Sequence, residues 1–172
     1  LRYRNFILLL LLVLLATSCD ENDTECRRDV RKKLGVTFYT VNTITTDQGI
    51  TETIEGVFSP DSLCVRGLGK DSLLYNSKRS DVTLPVSNTD TITAYEIYVR
   101  ADNDELNRHL DATDTLLITY DNEQHFVSLE CGCYVNHTLH SAAATTHNID
   151  SIVIINQQIT NADDIHLQIY FR

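Results

Sequence analysis

Apolar and polar positions alternate along most of this chain. In "IHLQIYF", residues 165–171, Ile165, Leu167, Ile169 and Phe171 fall on one side, and His166, Gln168 and Tyr170 on the other. "AYEIYV", residues 94–99, sets Tyr95, Ile97 and Val99 against Glu96 and Tyr98. A period of two places successive side chains on opposite faces, so each run predicts a strand with one buried face. "GVTFYTV", "SLCVRG", "DVTLPV", "TLLITY", "HFVSLE", "CYVNHTLH" and "SIVIIN" read the same way and are rich in Val, Ile, Thr and Tyr, the residues that suit a pleated surface. "TDQG", "FSPD", "GLGKD", "NSKRS", "SNTD" and "TYDNE" supply turn residues between them. Many short strands so punctuated predict a sandwich or barrel. One segment breaks the pattern. In "DNDELNRHLDATD", residues 102–114, Leu106 and Leu110 stand at helical spacing, which predicts a single helical turn or a long loop.

The first residues obey a different rule. Arg2 and Arg4 precede the uncharged run "ILLLLLVLLA", residues 7–16. A basic start, a short apolar stretch and small residues after it form a secretory signal. The run is shorter than the roughly 20 apolar residues of a membrane-spanning helix. It ends in "LATSC", which resembles the bacterial lipobox, in which the cysteine receives a diacylglycerol and becomes the mature N-terminus. Ala16, Thr17 and Ser18 fit that pattern, although Ala16 stands where Leu is usual. The resemblance implies lipidation of Cys19, with palmitate-type acyl chains and a membrane as partner. Asp20, Glu21 and Asp23 follow, and resemble the export tag that sends Bacteroidetes lipoproteins to the outer face of the outer membrane. The expected location is therefore the outer membrane, on the cell surface or the periplasmic side.

Residues 1–18 are then signal, 19–33 a lipidated tether and 34–172 a single domain, long enough to bury a core. Loss of Arg2 and Arg4 with the signal shifts the formal charge from −10 to −12. That excess of acid argues against nucleic acid as a partner. One basic cluster, Arg27, Arg28, Arg31, Lys32 and Lys33, lies close to the anchor; it reads as a solvated stretch before the first strand, with contact to lipopolysaccharide phosphates as the alternative.

Five cysteines are present. With Cys19 lipidated, Cys26, Cys64, Cys131 and Cys133 remain, an even set in an oxidising compartment. Three connectivities are possible. Cys131 and Cys133 share one strand face and would close a small, strained ring, so each is expected to reach a distant partner. The preferred pairing is Cys26–Cys131 and Cys64–Cys133.

Metal and catalytic patterns do not develop. Cys131, Cys133, His137 and His140 lack the spacing of a zinc site, and "DNDELNRHLD" lacks the Gly and Glu of a calcium loop. No nucleophile elbow is present, and "GLGKD" follows a strand without opening a helix. No cofactor is expected. Five triplets read Asp, then Ser or Thr, then Leu or Ile. They resemble the O-glycosylation acceptor pattern of Bacteroidetes, with Ser62, Ser72, Thr91, Thr115 and Ser151 as acceptors. The same triplets also suit turns leading into strands, and all five are expected at strand starts.

Taken together, "DSLCVRGLGKDSLLYN", "VTLPVS", "HFVSLECGCYVNHTL", "HNIDSIVIIN" and the final "IHLQIYF" resemble a family of small Bacteroidetes lipoproteins classified only as a domain of unknown function. The resemblance implies an envelope location and a compact β domain, and no activity. The expected fold is an all-β, immunoglobulin-like antiparallel β-sandwich. The expected function is that of a non-catalytic envelope lipoprotein, a binding or accessory module with a glycan or envelope protein as partner. A hydrolase of surface glycans or peptides, and a structural or assembly protein, are the alternatives. Two carboxylates across a cleft would favour the hydrolase, an exposed aromatic strip glycan binding, and a pairable edge strand assembly.

Overall fold

The computed structural model describes residues 32–172 except 46, 48, 50, 102–109, 130 and 161–163. The expected signal, Cys19, the acids after it and Cys26 lie outside the described residues. Eleven strands form two sheets: β1 (Lys33–Thr45), β2 (Thr51–Val57), β3 (Ser62–Gly67), β4 (Leu73–Ser77), β5 (Asp81–Pro85), β6 (Ile92–Ala101), β7 (Leu110–Ser128), β8 (Gly132–Ala144), β9 (Ile149–Ile154), β10 (Gln158–Ile159) and β11 (Leu167–Phe171). One sheet runs β2-β1-β11-β9, with β5 also paired to β1; the other runs β10-β8-β7-β6-β3-β4. The described residues are all-β, as the alternation implies.

The pairing is not antiparallel throughout. β1 and β11 are parallel, from Val36↔Leu167 to Thr40↔Phe171. Parallel neighbours need a long connection, and these two strands have most of the domain between them. β1 is long enough to serve three partners. β11 takes one of its edges, and on the other β5 pairs with Lys33–Thr37 and β2 with Tyr39–Thr45. Phe38 marks the handover: its N–H donates to the Ser80 carbonyl at 2.8 Å, and its own carbonyl accepts from Phe58 N–H at 3.0 Å.

Three expectations are corrected. Residues 110–114 belong to β7 rather than to a helical turn or loop; residues 102–109 lie outside the described residues. "TYDNE" is not a turn, because β7 continues through it to Ser128. Within it Tyr120 is buried and Asp121 and Glu123 are exposed, so the alternation runs on until the β7–β8 hairpin extends past the other strands. The third correction concerns the start of β11. Ile165 is exposed and His166 is fully buried, since the strand and its alternation begin only at Leu167.

His166 is buried for a reason. Its Nδ1 accepts from Gly35 N–H at 2.9 Å, so the ring proton sits on Nε2, which donates to the Gln158 carbonyl at 3.2 Å. The His166 N–H in turn donates to the Gly35 carbonyl at 2.9 Å. A Cβ on Gly35 would collide with the Asp164 carbonyl oxygen, so only glycine admits this close approach. Burial, partly offset by the Gln158 bond and Asp164, lowers the His166 pKa. Burial, then Lys32, lowers that of His137, whose Nδ1 donates to Asn122 Oδ1 at 2.6 Å.

The core lies between the sheets. Leu34, Val36, Phe38, Val82, Leu84, Leu167, Ile169 and Phe171 from the first sheet face Leu63, Val65, Ile97, Val99, Leu116, Ile118 and Leu139 from the second. Phe38 and Phe58 both pack on Phe171, with ring centroids 5.7 and 5.0 Å away.

Three tyrosines of the second sheet cross to the first. Tyr75 on β4 donates to the Thr83 carbonyl at 2.8 Å and accepts from Thr83 N–H at 3.1 Å. Tyr95 on β6 donates to the Pro85 carbonyl. Tyr120 on β7 accepts from Ser87 N–H at 2.9 Å and donates to the Ser87 carbonyl at 3.2 Å. They therefore meet every second residue of β5 and its continuation, on the edge turned away from β1. Burial, then Tyr120, raises the Tyr95 hydroxyl far above the ordinary tyrosine pKa, so it stays protonated and donates.

Two outcomes are expected. Tyr120→Phe leaves the N–H and C=O of Ser87 unpaired near the core and lowers unfolding free energy by about 1–3 kcal/mol; a denaturant titration showing no loss would contradict the bridging role. The two histidines have folded pKa values below the unfolded value near 6.5. Their contribution is complete above roughly pH 6.5 and declines as pH falls through the folded values. The denaturant midpoint should fall between pH 7 and pH 5, less steeply in His166→Gln; an equal slope in that variant would rule out His166 as a contributor.

Candidate functional site

Alternation fixes what the outer face of the second sheet carries. With Leu63 and Val65 turned inward, Cys64 and Arg66 of β3 turn outward. With Ile97 and Val99 inward, Glu96 and Tyr98 of β6 turn outward. Register then brings them together: Cys64 opposes Tyr98, Arg66 opposes Glu96, and Tyr98 opposes Thr113 of β7. With Leu73 they line a half-open depression of about 230 Å³. The Arg66 Nε–H bonds the Glu96 carboxylate, and both side chains are partly exposed. The Cys64 thiol donates to Asn76 Oδ1 at 3.2 Å, with Ser62 Oγ 3.7 Å from the sulfur. The lining thus offers a guanidinium, a carboxylate, a phenol and a hydroxyl beside one apolar side chain. Such a set can make many hydrogen bonds to a polar ligand.

The outer face of the first sheet carries a second aromatic feature. Tyr39 and Tyr170, partners in the β1–β11 register, stack with centroids 5.4 Å apart and planes 26° apart. Gln168 ties them, its Nε2 donating to Tyr39 Oη at 3.5 Å and its Oε1 accepting from Tyr170 at 3.2 Å. Burial, then the Glu55 carboxylate and Tyr39, raises the Tyr170 pKa. Stacked on each other, these rings each cover one face of the other, so they form a pair and not a strip.

The cysteines are not arranged as the preferred pairing requires. Cys64 and Cys133 are free thiols. They lie on β3 and β8, with β6 and β7 between them, a separation of three strand spacings or about 14 Å, twice the reach of a disulfide. Cys131 is disulfide-bonded, and its partner lies outside the described residues. Nor do the nearby histidines converge. His137 turns into the core, while His140 is exposed with Nε2 2.7 Å from Asp121 Oδ2.

The Asp-Ser/Thr triplets scatter over both sheets. Ser62 opens β3, and Ser72 and Thr91 directly precede β4 and β6. Ser151 is the third residue of β9, and Thr115 lies within β7, so the expectation that all five sit at strand starts fails for these two. Ser72, Thr91 and Ser151 are exposed; Ser62 and Thr115 are half-buried.

One important residue was passed over in the sequence. Asp114 is 1% exposed. Its Oδ1 accepts from Thr145 Oγ1 and His147 N–H, both at 2.8 Å, and its Oδ2 from Asn148 N–H at 2.8 Å and Ile149 N–H at 3.2 Å. The carboxylate thereby holds the bend in which the chain leaves β8 and crosses to β9 in the other sheet. The signal was available. Asp114 shares the parity of Leu116, Ile118 and Tyr120, so it stands at an inward position, where a carboxylate must find donors. Asp114→Ala should cost at least about 3 kcal/mol, since several buried N–H groups lose their acceptor. A cost below about 1 kcal/mol in a denaturant titration would contradict this role.

The profile of a family of unknown function, DUF6452, matches residues 62–171. The matched span opens with β3 and closes with the last residue of β11. No curated protein and no solved structure matches the chain.

Proposed function

The chain belongs to the DUF6452 family of unknown function, and on that footing we propose that it is a non-catalytic envelope lipoprotein that binds a glycan. In this reading Cys19 carries the lipid and holds the protein in the outer membrane. Asp20, Glu21 and Asp23 direct it to the surface of a Bacteroidetes-type cell, and the two sheets form an immunoglobulin-like sandwich. The disulfide partner of Cys131 is taken to be Cys26, because Cys64 and Cys133 are free and lipidation consumes Cys19. Ser72, Thr91 and Ser151 are the more accessible of the five proposed O-glycosylation acceptors.

The observation that carries the binding role is the depression around Arg66, Glu96 and Tyr98. A glycan presents hydroxyls, which act as both donors and acceptors, and small apolar ring faces. The Arg66–Glu96 pair supplies donors and acceptors side by side, and Tyr98 with Leu73 supplies apolar contact. The site is half open to solvent, and its two charges neutralise each other. This suits reversible recognition of a neutral polar chain better than tight capture of an ion. The buried polar groups have other tasks: Asp114 holds the β8–β9 bend and His166 fastens β11 to Gly35.

Two measurements test the reading. Cys19→Ala should move the protein from the detergent phase to the aqueous phase in a Triton X-114 partition; retention in detergent would remove the anchor. On an array of bacterial and host glycans the intact protein should bind a defined subset. Glu96→Ala should weaken that binding at least tenfold with thermal stability unchanged. Binding that survives Glu96→Ala would place the glycan elsewhere, and an array without signal would end the glycan reading.

A further inference from the structure

Beyond the sandwich, the ends of β7 and β8 pair only with each other among the described residues. β6 leaves β7 at Thr119, and β10 meets β8 only at His137 and Thr138. The hairpin continues from Glu123↔Asn136 to Ser128↔Gly132, a projection of about 20 Å at the usual rise per residue. His125 and Tyr134 stiffen it, stacked with centroids 5.1 Å apart. Gly132 adopts φ +72 at the tip, where a left-handed turn calls for glycine. The tip is apolar where it meets solvent: Phe126 is 66% exposed and Leu129 96%.

We propose that this tip seats in the lipid surface of the membrane that anchors the protein, with Phe126 and Leu129 at the boundary between headgroups and acyl chains. The proposal rests on the lipid anchor at Cys19. Three observations support it. First, the described chain starts beside the hairpin, with the Lys32 ammonium over the Tyr134 ring, 5.6 Å from its centroid. Lys32 stands thirteen positions after Cys19, a span of at most about 45 Å, so the anchor can reach no farther than that from the hairpin. Second, Cys131 at the tip is disulfide-bonded. If Cys26 is its partner, the tip is tied seven positions after the lipidated residue, at most about 25 Å. Third, the segment that precedes β1 in sequence is basic. Arg27, Arg28 and Arg31 precede Lys32 and Lys33 in sequence, in a chain otherwise rich in acid, and suit headgroup phosphates. Two apolar side chains bind lipid weakly alone, but a tethered tip meets lipid at high local concentration. The result is orientation: the sandwich stands on its hairpin, with the β8–β9 bend at its far end pointing away from the membrane.

The chain contains no tryptophan, so one introduced indole reports its own surroundings. Full-length lipidated Leu129→Trp protein is reconstituted into phosphatidylethanolamine–phosphatidylglycerol vesicles with or without brominated acyl chains, and recovered by flotation. Leu129 is almost fully exposed, so the substitution leaves the core untouched. The expected result is flotation, with emission quenched by about half or more in brominated vesicles. Thr146→Trp, on the exposed β8–β9 bend, should float equally and show no quenching. Flotation with an unquenched Leu129→Trp signal overturns the seat alone, as does a blue shift without bromine quenching, which would mean contact with protein. Absence from the floated fraction overturns the anchor and the seat with it.

Discussion

Three tyrosine hydroxyls on one strand edge hold the two sheets in register. β5 uses one edge to pair with the start of β1, and its other edge would be left with bare N–H and C=O groups. Tyr75, Tyr95 and Tyr120 reach from three different strands of the opposite sheet to Thr83, Pro85 and Ser87. Each contact meets two needs. A buried phenol requires a partner, and an open strand edge invites unwanted pairing. Hydrophobic contact alone would let the sheets slide over one another, because it has no direction. Directed bonds at alternate residues of β5 fix the offset, and the fully buried side chains interdigitate only at that offset.

The same economy governs the two places where the chain passes between sheets or closes on itself. Asp114 gathers the bend between β8 and β9, and His166 fastens the start of β11 to Gly35 of β1. Both are buried polar groups whose partners are mostly backbone, so they fix chain path rather than contact solvent. What remains for recognition is on the outside: the outward positions of β3, β6 and β7, the β1–β11 tyrosine pair and the hairpin tip. Family membership over residues 62–171 takes in the three tyrosines, Asp114, His166 and the hairpin. It leaves β1, with Gly35, outside the match.

Strand content was legible wherever one face is buried, because burial enforces the period of two. "SLCVRG" matches β3 residue for residue. Legibility failed in other respects. The polar "TYDNE" looked like a turn because Asp, Asn and Glu fill it, although its Tyr120 still faces the core. The parallel meeting of β1 and β11 depends on contacts between chain ends, which no local pattern encodes. Cysteine parity suggested a Cys64–Cys133 bridge, but strand order decides distance, and order is not local either. Asp114 and His166 were readable in part, as polar residues at or beside inward positions. Most of their partners were not, since those lie 31 to 131 residues away. The surface depression could not be foreseen because it arises from the registers of several strands at once.

The tyrosine edge is open to a direct measurement, native-state hydrogen exchange at the amides of Thr83 and Ser87. Both N–H groups face away from β1 and donate to tyrosine oxygens. If those bonds join the sheets into one cooperative unit, both amides should exchange only through global opening, with the protection of Leu116 and Ile118 in the centre of the second sheet. Exchange at the rate of an exposed strand edge, while Leu116 and Ile118 stay protected, would contradict the account and leave the sheets held by apolar contact alone.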